Sequence, residues 1–242
     1  MGFRLKLRVQ KLLSSRAVGL RGLGLAQGPG GPYNEMEPEV GEKIMDAVRY
    51  YIALILVVTM LPMLLVWPLI HPFISFWRRL GPALTSALVW SFLGLIGVGL
   101  FLARKSWLAV DFGTNYVLVV LGVLLEAASI WLWGPLHRYL SFTTMMGLPE
   151  LSPNKYPTAL LTGGIYSRIR HPRYVQILLF IWGYALIANY PAAYATAGLW
   201  LPGVLIIARL EEKELRDRYG AAYEEYCRRV PRFVPRWGGG KD

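Results

Sequence analysis

The chain has 242 residues, of which 55% are hydrophobic, and a formal net charge of +11. Long uncharged runs at this hydrophobic fraction exclude an ordinary soluble domain and indicate an integral membrane protein. The Lys and Arg residues cluster at the chain ends and beside the apolar runs. That distribution is typical of contact with anionic lipid headgroups and argues against nucleic-acid binding. A single cysteine, Cys227, excludes an internal disulfide, and the spacing of the His and Cys residues predicts no metal site.

The first 45 residues begin with a short basic amphipathic stretch and continue into a segment rich in Gly and Pro. Without a sustained hydrophobic period, this composition predicts a disordered segment over residues 1–45. Two interpretations stay open. The segment is either a membrane-surface anchor or targeting sequence, or an extension upstream of a true start at Met36 or Met45.

Three apolar runs follow, each long enough to cross roughly 30 Å of hydrocarbon as a helix. They cover residues 47–70, 83–103 and 116–136. Pro62 and Pro68 predict a kink in the first run. The aromatic and basic residues 71–82 are predicted to form a loop, with His71 as an ordinary loop histidine. Residues 46–162 are therefore predicted to hold three transmembrane helices and their loops.

Glu126 stands near the centre of the third run. An ionisable side chain at that depth costs at least about 2.5 kcal/mol unless it is paired, protonated or facing a cavity. Three interpretations stay open: a catalytic residue turned towards a substrate cavity, a proton or cation relay in a transporter, or a hydrogen-bonded packing residue. Residues 137–162, of mixed polarity, are predicted to be a loop or interfacial segment.

Residues 175–208 are almost uncharged and are broken by Asn-Tyr-Pro at residues 189–191. This pattern predicts two apolar helices folded back on each other. A hairpin brings its two ends to the same side of the membrane. We therefore expect Arg170 and His171, which precede the hairpin, to meet the Glu-Glu pair of residues 211–212, which follows it.

The tail after the hairpin has Leu and Tyr residues at near-helical spacing over residues 215–226. This predicts an interfacial helix that Gly220 interrupts and Pro231 ends. Because arginines near membrane spans favour the cytoplasmic side, the segment that precedes the hairpin and the tail that follows it are predicted to be cytoplasmic.

The residues around the hairpin also carry four motifs in a fixed order. The first two are Gly164, Tyr166, Arg170, His171, Pro172 and Tyr174, followed by Glu211, Glu212 and Leu215. The last two are Tyr219, Gly220, Tyr223 and Tyr226, followed by Val230, Arg232, Phe233 and Pro235. In this order they resemble the C-terminal half of the isoprenylcysteine carboxyl methyltransferase and phospholipid methyltransferase superfamily. The pattern departs from that family at Gln176, where the family usually has Gly.

The resemblance implies an integral membrane methyltransferase that uses S-adenosyl-L-methionine. Implied cofactor-binding residues are Tyr166, Arg170, His171, Pro172, Tyr174, Glu211 and Glu212. In this assignment the carboxylates accept hydrogen bonds, Arg170 and His171 bind the cofactor carboxylate, and the tyrosine rings stack on or attract its cationic parts. The predicted catalytic residues are Glu212, as a base for an acceptor that must lose a proton, and Glu126.

The acceptor is expected to be amphiphilic or lipid-like, with a carboxylate, an amine or a thiol as the attacking group. An NADPH-dependent enzyme similar to sterol reductases and a non-catalytic transporter or scaffold centred on Glu126 stay open as alternatives. The expected partners are the lipid bilayer and a small amphiphilic or lipidated substrate. The predicted fold is all-α: a polytopic bundle of about five spans, in which residues 163–242 form the motif region with its hairpin and interfacial tail helix.

Overall fold

The structure is a computed structural model that describes residues 37–138 and 159–235. The chain divides into two units, residues 1–43 and residues 44–242, and all contacts below lie within the second. The predictions for residues 1–36 and for most of the loop over residues 137–162 fall outside the described residues.

Helices form all the regular structure of the described residues, which contain no strand. They are α1 (Glu37–Met63), α2 (Val66–Ile70), α3 (Ile74–Leu80), α4 (Pro82–Leu102), α5 (Arg104–Trp107), α6 (Tyr116–Leu136), α7 (Pro172–Ala188), α8 (Pro191–Tyr219) and α9 (Ala221–Arg229), with 3-10 turns at His71–Phe73 and Gly164–Ser167. The predicted all-α fold is confirmed.

Four helical segments are long and apolar enough to cross a membrane. They are Val40–Leu80, Pro82–Leu102, Tyr116–Leu136 and Pro191–Tyr219. The fifth apolar helix, α7, has 17 residues, which is the lower limit for a spanning helix. The prediction of a polytopic bundle with about five spans is therefore confirmed.

The first apolar run differs from the prediction at both ends. Helix α1 begins at Glu37, so residues 37–45 are helical instead of disordered. Pro38 suits a helix start, because its missing N–H needs no partner in the first turn. The helix ends at Met63, next to Pro62, and this predicted interruption is confirmed. Pro68 causes no second break, because it lies in the first turn of α2.

The prediction of a loop over residues 71–82 is wrong, since these residues form a 3-10 turn and helix α3. The Trp77 indole donates to the Leu69 carbonyl at 2.8 Å, and the Thr85 hydroxyl donates to the Trp77 carbonyl at 3.0 Å. These bonds fix α3 between its neighbours, and Gly81, at φ 80°, turns the chain into α4.

The hairpin of α7 and α8 packs against α6 on one side and α1 on the other. A Cβ atom on Gly122 of α6 would stand 2.6 Å from the Gly183 carbonyl oxygen of α7, so the two helices touch through glycine. On the other side, the Trp200 indole of α8 donates to the Met60 carbonyl of α1 at 3.0 Å. The predicted hairpin break is confirmed at Asn189, which adopts φ 56° between α7 and α8.

A buried ionic cluster closes the turn end of the hairpin. The Arg49 guanidinium is fully buried: Nε donates to the Ala188 carbonyl at 3.1 Å, Nη1 to Asp46 at 2.9 Å and to Thr114 at 3.2 Å, and Nη2 pairs with Asp111. The Tyr190 hydroxyl donates to Asp111 at 3.1 Å. This network ties α1 and the segment before α6 to the hairpin turn, and it leaves the opposite, open end of the hairpin to form the site.

Candidate active site at the open end of the hairpin

The two ends of the hairpin meet as the sequence predicts. His171 precedes α7, and its Nε2 atom lies 3.0 Å from Glu212 Oε1 on α8. Its Nδ1 atom lies 3.6 Å from Glu211 Oε2. Burial lowers the pKa of His171, but hydrogen bonds to both glutamates and their charges outweigh burial and raise it above its ordinary value. The imidazole therefore favours its cationic form, in which both ring nitrogens donate.

Glu212 is fully buried and is surrounded by arginines. Arg232 binds it through Nε, at 2.8 Å from Oε1, and through Nη2 to Oε2. Arg170 Nη2 lies 3.1 Å from Oε1, and Arg216 Nη2 lies 3.7 Å from Oε2. Together with His171 these partners engage both carboxylate oxygens. This geometry favours an organising role for Glu212, whose predicted roles as base and cofactor ligand stay predictions.

Glu211 has a different environment from its neighbour, because 36% of its side chain is exposed. The Tyr174 hydroxyl donates to Glu211 Oε2 at 2.8 Å, and the Tyr174 ring stacks on His171 with centroids 5.5 Å apart. Pro172 occupies the first turn of α7, where its missing N–H removes no helical hydrogen bond. Glu211 therefore presents the accessible carboxylate of the site.

The tail segment of residues 230–235, here called the tail strap, returns to cover the site. The backbone N–H of Arg170 donates to the Pro231 carbonyl at 2.9 Å, and that of His171 donates to the Arg232 carbonyl at 3.1 Å. Just before the strap, the Tyr226 hydroxyl of α9 donates to the Tyr166 carbonyl at 2.6 Å. The structure thus brings all seven predicted cofactor residues to one end of the hairpin and encloses them with the tail.

An apolar groove of about 490 Å³ begins beside this polar cluster. Its walls come from α6, α7, α8 and the tail strap: Leu125, Val175, Leu178, Leu179, Trp182, Leu201, Val204, Leu205, Phe233 and Val234. The Phe233 ring lies 5.7 Å from the His171 ring, so the groove and the ionic cluster are adjacent. Leu201 and Leu205, which line the groove, are exposed on the surface of α8.

Glu126 does not join the cluster. Its Oε1 atom would stand 2.4 Å from a Cβ atom on Gly183, so the carboxyl fits against α7 only because residue 183 is glycine. Gly183 is eleven residues along α7 from Pro172, or roughly 16 Å at the rise of an α-helix. Glu126 Oε1 is buried without a hydrogen-bond partner among the described residues. The catalytic role predicted for it stays a prediction.

Gln176 is accommodated by helix α6. Its Nε2 atom donates to the Ser129 hydroxyl at 2.9 Å, and that hydroxyl lies 3.3 Å from the Gln176 carbonyl, to which it donates. The side chain that replaces the family's usual glycine is therefore used for contact between helices.

The sequence did not predict two contacts of side chains near the site. His71 is no loop histidine: its Nδ1 atom lies 3.1 Å from Glu214 Oε2, and its ring stacks on Trp67 with centroids 4.3 Å apart. The available signal was Glu214, three residues after Glu211 and so on a neighbouring part of the helix surface. Arg232 was part of a motif but had no assigned role. Its basic side chain close to the end of the tail was the only hint of its bond to Glu212.

Comparison with known proteins covers the region of the site. Residues 110–222 match the family model described as phospholipid methyltransferase. Over 147 residues the chain is 28% identical to a methanethiol S-methyltransferase of Crocosphaera subtropica, covering 61% of this chain and 51% of that protein. Over 133 residues it is 29% identical to protein-S-isoprenylcysteine O-methyltransferase B of Arabidopsis thaliana, covering 54% of this chain and 62% of that protein.

A methanethiol S-methyltransferase 2 of Bradyrhizobium diazoefficiens is 34% identical over 94 residues, covering 36% of this chain and 31% of that protein. The chain therefore spans between 31% and 62% of the length of these three relatives. No solved structure gives a significant match. The resemblance stated from the motifs is confirmed: residues 110–222 match the family model for phospholipid methyltransferases, and an isoprenylcysteine O-methyltransferase is among the similar proteins.

Proposed function

We propose that the protein is an S-adenosylmethionine-dependent methyltransferase that modifies an amphiphilic or lipid-like acceptor. The observation that carries the proposal is the adjacency of two unlike surfaces, the ionic cluster around His171 and the apolar groove that begins at Phe233. A polar cofactor suits the first surface, and the alkyl part of an acceptor suits the second.

The residues at the open end fit the proposed cofactor. S-adenosylmethionine supplies a methyl group on a sulfonium centre, together with an ammonium, a carboxylate, ribose hydroxyls and an adenine ring. Glu211 offers an exposed carboxylate for a cationic group, and the Tyr166 and Tyr174 rings offer aromatic faces. Arg170 and His171 offer positive charge for the cofactor carboxylate, and Arg170 Nε is a buried donor without a partner among the described residues.

The chain's own contribution to the reaction is alignment and exclusion of water. Glu212 fixes the tail strap across the hairpin ends through Arg232, and the strap then places Phe233 against His171. The acceptor's attacking atom would reach the site from the groove, with its alkyl part held by leucine and valine side chains. Most of the rate enhancement would then arise from holding the two reactants in line.

The attacking atom of the acceptor stays open between sulfur, oxygen and nitrogen. The relatives are named for methyl transfer to sulfur, in methanethiol, and to oxygen, in an isoprenylcysteine protein. A carboxylate would arrive already ionised, whereas a thiol or an amine would have to lose a proton. Of the two carboxylates at the open end, Glu211 is partly exposed, whereas Glu212, the predicted base, is saturated by arginines. Glu211 is therefore the better placed to receive that proton.

The arginine-rich end of the bundle is proposed to face the cytoplasm. Arg173, Arg216, Arg228 and Arg229 all lie at the open end, whereas the turn end holds Arg49 neutralised by aspartates. An excess of Lys and Arg beside spanning helices favours the cytoplasmic side.

A side-by-side titration of purified protein in lipid tests the proposal. S-adenosylhomocysteine should bind, and NADPH should not. In the same preparation, labelled methyl groups from S-adenosylmethionine should enter products that partition into organic solvent. Binding of NADPH without S-adenosylhomocysteine would favour the reductase-like alternative, and binding of neither would leave the cluster without its proposed ligand and refute the assignment.

A further inference from the structure

Two buried hydrogen-bond donors beside Glu212 have no partner among residues 37–138 and 159–235. The first is Arg170 Nε, in a side chain that is 10% exposed and uses Nη2 to bind Glu212. The second is the hydroxyl of Tyr223, a residue of α9 that is 1% exposed. Buried polar groups in folded proteins nearly always have a partner, so two unmatched donors in one cluster indicate a missing acceptor.

Tyr226, close to Tyr223 on the same helix, has a hydroxyl that does find a hydrogen-bond acceptor. The Tyr226 ring lies 6.0 Å from the Tyr223 ring, and its hydroxyl donates to the Tyr166 carbonyl at 2.6 Å. Both residues lie on the buried face of α9, three positions apart. Tyr226 thus has a structural hydrogen bond, whereas the Tyr223 hydroxyl has only the Cys227 thiol, a weak acceptor, close to it.

The charges around Glu212 favour an anion as the missing acceptor. Three guanidinium groups, those of Arg170, Arg216 and Arg232, surround one carboxylate. His171 is a fourth cationic group and is shared with Glu211. The positive charge therefore exceeds the negative charge at this position, which favours binding of a further anion.

Tyr223 keeps its proton in this setting. Burial and the charge of Glu212 raise the pKa of its phenol far above the ordinary value. The Arg216 guanidinium lies 6.0 Å above its ring. The hydroxyl is therefore a donor over the whole range of working pH, and an anion is the acceptor that such a donor, placed beside arginines, would bind most strongly.

We propose that Arg170 Nε and the Tyr223 hydroxyl bind the carboxylate of the amino-acid part of the cofactor. The inference rests on the proposed function and adds Tyr223 as a binding residue. A carboxylate has two oxygens, so it can accept from both donors at once. The cofactor's ammonium would then be directed to Glu211, the exposed carboxylate of the site.

The test compares two ligands on one substitution. Tyr223→Phe removes only the hydroxyl. S-adenosylhomocysteine and its analogue without the carboxylate are titrated into wild-type and variant protein in lipid. Loss of a hydrogen bond to a charged group should lower the affinity for S-adenosylhomocysteine roughly 10- to 150-fold, and the affinity for the analogue should stay within about twofold of wild type. Tyr226→Phe is the matched control, because it removes a structural hydrogen bond and should affect both ligands equally.

Each other outcome counts against the inference. If Tyr223→Phe lowers the affinity for both ligands equally, or leaves both affinities unchanged, the hydroxyl does not bind the carboxylate and instead has a structural role or binds a water. If Tyr223→Phe does not fold, Arg170→Lys makes the same comparison, because it keeps the charge and removes Nε. Wild-type protein that binds both ligands equally would overturn the inference and leave the proposed function intact. Wild-type protein that binds neither would overturn both.

Discussion

Glu212 should be the stabilising residue of the site, and Glu211 should not. Glu212→Gln removes the charge that faces Arg170, Arg232 and His171 while keeping the side chain's shape. Removing one partner of a buried ion pair costs about 3–5 kcal/mol, because the remaining charges stay buried without compensation. The amide can still accept from Arg232, so the lower value, about 3 kcal/mol, is expected. Glu211→Gln removes a partly exposed carboxylate and should cost less than about 1 kcal/mol.

Thermal unfolding in detergent measures the difference. For a chain of this size, a loss of about 3 kcal/mol corresponds to a decrease of roughly 6–12 °C in the midpoint. Glu225→Gln is the control, because Glu225 forms an exposed ion pair with Arg228 and should leave the midpoint unchanged. A midpoint for Glu212→Gln equal to that of wild type, or a loss for Glu211→Gln as large as that for Glu212→Gln, would refute the assignment of Glu212 to the tail strap.

Three further predictions follow from the same contacts. Arg49→Met should lower stability by about 1–3 kcal/mol in thermal unfolding, because it leaves the buried Ala188 carbonyl without its donor, and Lys105→Ala should not. The pKa of His171 is raised in the folded state, so the histidine contributes its full stabilisation below about pH 6.5 and loses it as pH rises through the folded-state pKa. The midpoint of thermal unfolding should therefore fall with rising pH in wild type and stay constant in His171→Gln. Acceptor affinity should rise several-fold for each added methylene until the groove is filled, since each buried methylene contributes about 0.8 kcal/mol, and Leu205→Trp should move the optimum to shorter chains in a homologous series.

The spans and the hairpin could be predicted from the sequence because each depends on local composition. Helix α6 runs over Tyr116–Leu136, the predicted span, since an uninterrupted apolar run leaves the backbone no alternative to a helix in hydrocarbon. The break at Asn189 could be predicted for a similar reason, because Asn-Tyr-Pro at residues 189–191 is a typical turn and proline suits the first turn of the next helix.

The errors come from residues whose environment is set by distant parts of the chain. Residues 71–80 have loop-like composition, and only the bonds from Trp77 and Thr85 to neighbouring segments fix them as helix. The motif placed Glu211 and Glu212 together, but it could not show that three arginines saturate only the second. That difference depends on how the tail strap returns to the hairpin, a contact between residues far apart in sequence.

No sequence pattern predicted the groove. Its walls come from three helices and the tail strap, and each contributes leucine, valine or aromatic residues that resemble ordinary lipid-facing positions. Only the packing of α6, α7 and α8 distinguishes the groove residues from the exposed apolar residues beside them.

The central claim, that the open end of the hairpin binds the cofactor, is tested most directly by titrating S-adenosylhomocysteine into wild-type protein and two glutamate variants in lipid. Glu211→Gln should weaken binding at least tenfold, because it removes the accessible carboxylate of the site. Glu126→Gln should leave the affinity within about twofold, because Glu126 packs against Gly183, roughly 16 Å along α7 from Pro172. Unchanged affinity for Glu211→Gln, or a loss confined to Glu126→Gln, would contradict the account.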